Sequence, residues 1–222
     1  HAFYSRDSGG AWAGTSGDIS CFSFHDTKNI VCGEGGMICW NRNEFTEEIT
    51  AIRNKGTNRA ALDAGLVSHY EWTSRGGSFV LSELQAAFLF AQISHEEKIT
   101  SLRRNCWNFY HRELRWLEES GHASLPVVLS ESHNAHIYYL IIKNMARVSG
   151  FIDFMKSLSI TCALHYYPLH QSKFGKQFLH KGRELPNAEL FGNCLVRIPV
   201  YSGLTDVEKD RIVSAITAYF KA

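Results

Sequence analysis

Ser23, Lys28 and the run Gly33-Glu34-Gly35-Gly36 form the part of this sequence where residue types and spacing point to chemistry. A strand-like segment delivers a serine and, five residues on, a lysine into a glycine-rich turn. Schiff-base formation needs such an arrangement. An amine attacks an aldehyde only when deprotonated, so the lysine must be partly desolvated or lie near another cation. A serine hydroxyl on the same turn can bind a phosphate, and glycines let backbone pass close to a ligand. On residue type alone, a loop lysine is more often solvated than catalytic, so both readings stand at this point.

The elements that must position these residues follow from local pattern. Ile19–Phe24 and Gly36–Trp40 are β-compatible and flank the lysine segment. Thr46–Lys55 has helical periodicity and Gly56 suits the C′ position after it. Ser82-Glu83-Leu84-Gln85 is a capping-box pattern that opens a helix through Ala87, Phe88 and Ala91. A second amphipathic stretch runs from about Lys98 to Glu119, and Gly121 and Pro126 break it. Beyond them, Ala135–Lys143, Thr161–Tyr166 and Leu195–Val200 read as strands. Gly150–Leu158 and Asp206–Phe220 read as helices, the last opened by a Thr205/Glu208 capping box. This predicts an α/β fold of two domains, 1–100 and 101–222, with the long helix as the bridge.

Composition excludes several classes. The 222 residues are 45% hydrophobic and 20% charged, as in ordinary globular proteins. A net charge of +1 with scattered Lys and Arg gives no footprint for nucleic acid or an anionic membrane surface. The longest apolar runs, such as Ala86 to Ala91, are too short to span a bilayer. The 6 cysteines lack a C-x-x-C pair and read as thiols in a reducing compartment, which predicts a cytoplasmic protein. The 11 histidines include no H-E-x-x-H, and no metal site is expected.

Ser23-Phe24-His25-Asp26-Thr27-Lys28-Asn29 followed by Gly33-Glu34-Gly35-Gly36 resembles the active-site signature of the DegT/DnrJ/EryC1/StrS aminotransferases. These enzymes act on nucleotide-linked keto-sugars and are fold-type I pyridoxal-phosphate (PLP) transferases. Further stretches resemble one branch of the family, the dTDP-4-amino-4,6-dideoxygalactose transaminases. They are Ile52 to Arg59, Ser82 to Ala87, Asn134-Ala135-His136 and His165-Tyr166-Tyr167-Pro168-Leu169-His170. The resemblance covers essentially the whole chain. It implies part of the PLP-binding large domain in 1–100 and a small C-terminal α/β domain in 101–222.

By the same resemblance, Lys28 holds PLP and then moves a proton between the cofactor C4′ and the substrate carbon. Ser23 binds the cofactor phosphate. Ser78 stands where relatives carry an asparagine, in a G-x-N-x-R-M segment, that reaches the phosphate of the neighbouring subunit; a homodimer with shared sites follows. His1 matches the last position of an E-D-A-A-[QH] segment near the cofactor's ring oxygen. Thr57, Asn58 and Arg59 are candidates for substrate or subunit contacts, against the plainer reading of a surface turn. His165, Tyr166 and His170 are expected on the sugar-nucleotide side, with a satisfied structural role as the alternative for each. Trp72 could stack on a base or sugar ring, although large aromatics more often serve packing.

The resemblance implies transamination of a 4-keto-6-deoxy sugar nucleotide with glutamate as donor. In dehydratase relatives the signature lysine is replaced, and Lys28 argues against that chemistry. The aspartate that keeps the cofactor's ring nitrogen protonated would lie three residues before His1. The chain is therefore expected to be a piece of a longer protein, inactive by itself. A truncated relative that only binds sugar nucleotide or dimerises is the competing expectation.

Overall fold

The computed structural model describes residues 1–127, 133–178 and 184–222. The chain divides into two compact units, the first His1–Glu97 joined by Asn134, the second Lys98–Glu131 and Ala135–Ala222. Asn134 groups with the first unit although it lies far along the chain, which local pattern did not reveal.

In the first unit, β1 (Ile19–Ser23) pairs antiparallel with β2 (Gly36–Trp40), with Ser23 opposite Gly36. Phe3 packs edge-on against Phe22 and Phe24, at 5.7 and 5.3 Å between centroids, and Phe24, Ile30 and Cys32 are buried with them. Helix α1 (Thr46–Arg53) is followed by the short α2 (Arg59–Asp63). Helix α3 (Glu83–Ser94) opens with the expected reciprocal box between Ser82 and Gln85. That helix is apolar nearly all round, and Leu84, Phe88 and Phe90 stay exposed on it.

The long stretch from Lys98 to Glu119 is two helices, α4 (Glu96–Glu113) and α5 (Trp116–Glu119), with a turn at Leu114 and Arg115. The second unit then builds a four-stranded antiparallel sheet in the order β3 (Ala123–Ser124), β4 (Tyr138–Ile142), β6 (Leu195–Ile198), β5 (Ala163–Leu164). Tyr138, Leu140 and Ile142 alternate inward along β4, as a strand with one buried face requires. Helix α6 (Val148–Ser157) contributes Val148, Phe151 and Met155 to the core. Helix α7 (Pro186–Cys194) starts on a proline, a residue suited to the first turn because its missing N–H would have no partner there. Helix α8 (Asp206–Lys221) adds Ile212, Ile216 and Phe220 and carries the Thr205/Glu208 box at its start. Tyr110 of α4 lies fully buried among these residues and donates its hydroxyl to the Pro199 carbonyl at 3.0 Å.

Burial of Tyr110, Leu114, Leu117, Phe151, Met155 and Ile216 is worth about 1.5–3 kcal/mol for each large aliphatic or aromatic side chain. This makes the second unit the better-packed of the two. Among the described residues, no helix is long and apolar enough to cross a membrane, and no cluster of His, Cys, Asp and Glu could hold a metal ion.

Candidate cofactor site

The lysine loop is an extension of the β1–β2 hairpin. Phe24 N–H donates to the Gly35 carbonyl at 2.8 Å, Asp26 N–H to Gly33 at 3.0 Å, and Cys32 N–H to Phe24 at 2.8 Å. Between these bonds the chain bulges outward, closed by Lys28 N–H on the His25 carbonyl at 2.9 Å. Phe24, Ile30 and Cys32 point into the unit and anchor the loop, leaving Lys28 half-buried at its turn. Gly35 is required by contact: a Cβ there would lie 2.5 Å from the Cys32 sulfur and 3.0 Å from Leu81. The Gly-rich turn is tied to α3, whose Gln85 side-chain amide donates to the Glu34 carbonyl at 2.7 Å.

Lys28 Nζ lies 3.0 Å from Nε2 of His1, a residue 27 positions away in sequence. An imidazole with its proton on Nδ1 accepts this bond from the lysine. Behind the lysine, His25 faces the Thr27 N–H and hydroxyl through Nδ1, at 3.2 and 3.0 Å. The same nitrogen lies 2.7 Å from Asp26 Oδ1, and Nε2 lies 3.4 Å from Glu34 Oε1. A neutral ring accepts from Thr27, whereas a protonated ring pairs with both carboxylates. These groups are solvent-exposed, so the pairing is worth at most about 1 kcal/mol. Burial and then the Glu34 charge raise the Cys32 thiol above its ordinary value, which keeps it protonated and unreactive at neutral pH.

Ser23 sits at the end of β1, exposed, its Oγ within 3.4 Å of the His25 N–H. Its hydroxyl is thus free to donate. Asn134 enters the same unit from far along the chain. Its backbone carbonyl accepts from Asn29 Nδ2 at 2.7 Å, its N–H donates to Ser5 Oγ at 3.1 Å, and its own side-chain amide donates to the carbonyls of His1 at 2.6 Å and Phe3 at 2.9 Å. Asn134 falls within one of the stretches that resemble the family, where nothing in the local pattern marks a role for it. A separation of 105 residues from Asn29 hides the contact from any local pattern.

Ser78 and the Thr57–Arg59 stretch are brought together in the first unit. Lys55 N–H donates to the Gly77 carbonyl at 3.0 Å, Gly77 N–H to Ile52 at 2.9 Å, and Asn54 bridges Ser78. The two segments touch backbone to backbone at Gly56 and Gly76, where a Cβ on Gly76 would lie 2.7 Å from the Gly56 Cα. Thr57 is buried with its hydroxyl on the Asn54 carbonyl at 2.6 Å. Asn58 uses both ends of its amide on the His69 carbonyl and the Glu71 N–H, each at 3.0 Å. Arg59 is exposed and held on Asp63 at 2.8 Å to both carboxylate oxygens. Trp72 is also exposed, with its backbone bridged to Thr57.

The remaining candidates belong to the second unit. His165 follows β5; burial and then the Arg197 charge hold its imidazole below the ordinary value of 6.5. Its Nδ1 is buried without a hydrogen-bond partner, as is Arg197 Nε. Tyr166 is exposed and lies under the Arg197 guanidinium. His170 is largely covered and pairs through Nε2 with Glu189 of α7 at 3.1 Å, so one ring nitrogen already has a structural partner.

A model described as the DegT/DnrJ/EryC1/StrS aminotransferase family matches residues 1–217. The chain belongs to this family. A relative from Methanocaldococcus jannaschii, itself uncharacterized, is 31% identical over 211 residues, covering 91% of this chain and 54% of its own. PseC of Helicobacter pylori, an aminotransferase involved in the biosynthesis of pseudoaminic acid, superimposes with a TM-score of 0.86 at 22% identity, over all of this chain and 58% of that one. A Streptococcus pneumoniae protein assigned as a sugar aminotransferase, solved in its PLP form, gives 0.84 at 20% identity, over all of this chain and 56% of that one. The fold is therefore that of the fold-type I PLP aminotransferases, and this chain spans about half the length of the curated relatives it matches.

PLP is the cofactor of this family, and the donor set around Lys28 fits it at three points. Lys28 has a half-buried primary amine that could meet the aldehyde, Ser23 an exposed hydroxyl that could meet the phosphate, and His1 a ring nitrogen beside the amine.

Proposed function

We propose that this chain carries the cofactor lysine of a PLP-dependent aminotransferase acting on a nucleotide-linked 4-keto-6-deoxy sugar, with glutamate as the amino donor. The substrate in this reading is dTDP-4-keto-6-deoxyglucose and the product dTDP-4-amino-4,6-dideoxygalactose. The observation that carries it is the Lys28 amine, held at the turn of a loop closed by the Gly33–Gly36 segment and placed 3.0 Å from His1.

PLP, when bound, supplies an electron sink that makes a proton on the adjacent carbon acidic. Lys28 is the residue that would hold the cofactor's aldehyde end, and its amine, when free, would be the group placed to accept and return a proton beside it. The loop's anchors, Phe24, Ile30 and Cys32, limit how far that amine can wander, which is the orienting part of the rate enhancement. Ser23 Oγ donates to the phosphate, and His1 keeps the free amine on its side of the loop by accepting from it. Ser78 supplies a donor to the phosphate of a partner subunit in a homodimer with shared sites. Within the first unit, Arg59 is the exposed cation on the Thr57–Arg59 stretch, suited to substrate phosphate once drawn off Asp63. Within the second unit, His165, Tyr166 and His170 are the substrate contacts in this reading; Tyr166 presents the most open surface.

Adding PLP to the complete natural polypeptide, reducing with borohydride and mapping the peptides tests the cofactor assignment. The increment is expected on the Lys28 peptide and is expected to vanish in Lys28→Ala. Absence of any labelled lysine 28 peptide from the wild-type protein refutes it. Incubation with dTDP-4-keto-6-deoxyglucose and glutamate tests the substrate: a 3-amino or a gluco product overturns that part. Mixing Lys28→Ala with Ser78→Ala chains tests the shared site, since exchange of subunits should restore part of the cofactor binding.

A further inference from the structure

Asn134 is nearly fully buried, at 6% exposure, and its hydrogen bonds run to two segments, His1–Ser5 and Asn29. The bonds divide by type. Its backbone atoms hold Asn29 and Ser5, contacts that any residue at this position could make. Its side chain alone holds the carbonyls of His1 and Phe3, both with the same amide nitrogen. Two carbonyl acceptors converging on one nitrogen need an NH2 group with two donatable hydrogens, which aspartate, serine and alanine lack. The carbonyl of His1 belongs to the residue whose ring stands 3.0 Å from Lys28 Nζ, while Phe3 packs on Phe22 and Phe24 at the base of the lysine loop.

We propose that Asn134 is a positioning residue that fixes His1 against the Lys28 amine, so that residue 134 sets the geometry on one side of the amine and, through Asn29, the loop on the other. The assignment deepens the reading of Lys28 as the cofactor lysine and rests on it. Asn134→Ala removes both donors and leaves two carbonyls facing a gap. Asn134→Asp keeps the shape but turns a donor into a third acceptor, so it disturbs His1 more than alanine does. Loss of His1 as the acceptor of the Lys28 bond leaves the amine less shielded and more open to an amine reagent.

The test acylates the cofactor-free complete polypeptide with a limiting amine reagent and measures the labelling of Lys28 relative to Lys55 in the same molecule. General unfolding raises both lysines, whereas repositioning moves the ratio. The ratio is expected to rise about two- to tenfold in Asn134→Ala, the worth of one net hydrogen bond, and further in Asn134→Asp. Amide exchange at residues 1–5 should accelerate in parallel. A ratio and exchange unchanged in both variants overturn the proposal. If Asn134→Asp does not fold, the alanine variant decides by itself. Failure of the wild-type protein to trap PLP at Lys28 would instead refute the functional reading, a result the cofactor-free ratio does not depend on.

Discussion

Gly76→Ala is the substitution whose effect the backbone dictates most directly. An added Cβ would lie 2.7 Å from the Gly56 Cα and from the Lys55 carbonyl carbon, and closer still to the Gly56 nitrogen. Ordinary contact begins at 3.4 Å, and all three atoms are backbone, so the clash cannot be relieved by a side-chain rotation. The segments must separate, which opens the bonds Lys55 N–H to Gly77 and Gly77 N–H to Ile52, at 3.0 and 2.9 Å. Overpacking of this kind costs about 1–3 kcal/mol, and each lost hydrogen bond about 1 kcal/mol. A loss of about 3 kcal/mol is expected, two orders of magnitude in the local folding equilibrium. Amide exchange at Lys55 and Gly77 reads that loss locally, and the urea midpoint reads it globally. Gly65→Ala is the control: its φ of +71° is left-handed but nothing lies within 4 Å of an added Cβ. It should cost only about 1–2 kcal/mol of backbone strain. If Gly76→Ala costs no more than Gly65→Ala, the backbone contact between the two segments is not as tight as the structure places it.

Other predictions address the second unit. Thr205→Ala should destabilise α8 by about 1 kcal/mol, because it removes the acceptor for the Glu208 N–H. The Glu208 carboxyl, held below its ordinary 4.5 chiefly by the Thr205 backbone N–H and then by its hydroxyl, keeps the first partner and loses the second. The depressed carboxyl stabilises above that value, so the difference between wild type and variant in thermal unfolding should shrink as pH falls through 4.5 and below. His165 is held below 6.5 by burial and by Arg197, so the unfolded chain takes up a proton first. Stability should fall as pH drops below 6.5 towards the folded value, and His165→Phe should flatten that part of the profile. Arg103 is buried, pulled down to about 10 chiefly by burial and still charged at neutral pH, and it donates to the Ala135 carbonyl at 3.2 Å and the His136 carbonyl at 2.7 Å. Arg103→Ala should cost about 2–4 kcal/mol by chemical denaturation, since two carbonyls lose charge-assisted bonds and the stem's packing is lost.

Elements whose cause is local were legible in the sequence. The Ser82/Gln85 and Thr205/Glu208 boxes satisfy N–H groups within one turn, so four residues suffice to write them. The strand at Gly36–Trp40 was found at its observed bounds. Ends set by neighbours were less so: of the strand expected over Thr161–Tyr166, Ala163–Leu164 pairs with β6 as a strand, and His165 adds one backbone bond to the Leu195 carbonyl at 2.9 Å. Helix α7 was not foreseen, although Pro186 at its first turn is a usable start signal. The two-residue β3 was not foreseen either, since it exists only through pairing with β4.

For the site, the order and spacing of Ser23, Lys28 and the Gly33–Gly36 run, through their resemblance to a family signature, were enough to name the family, because a hairpin loop keeps these residues close in sequence. The surroundings of the amine were decided elsewhere. His1 meets Lys28 across 27 residues, and Asn134 binds His1 across 133. Hydrogen bonds at such separations are invisible to periodicity and composition, since loop closure brings their partners together only after the whole unit has packed. Sequence alone singled out Lys28; the tertiary structure decided which residues stand around its amine.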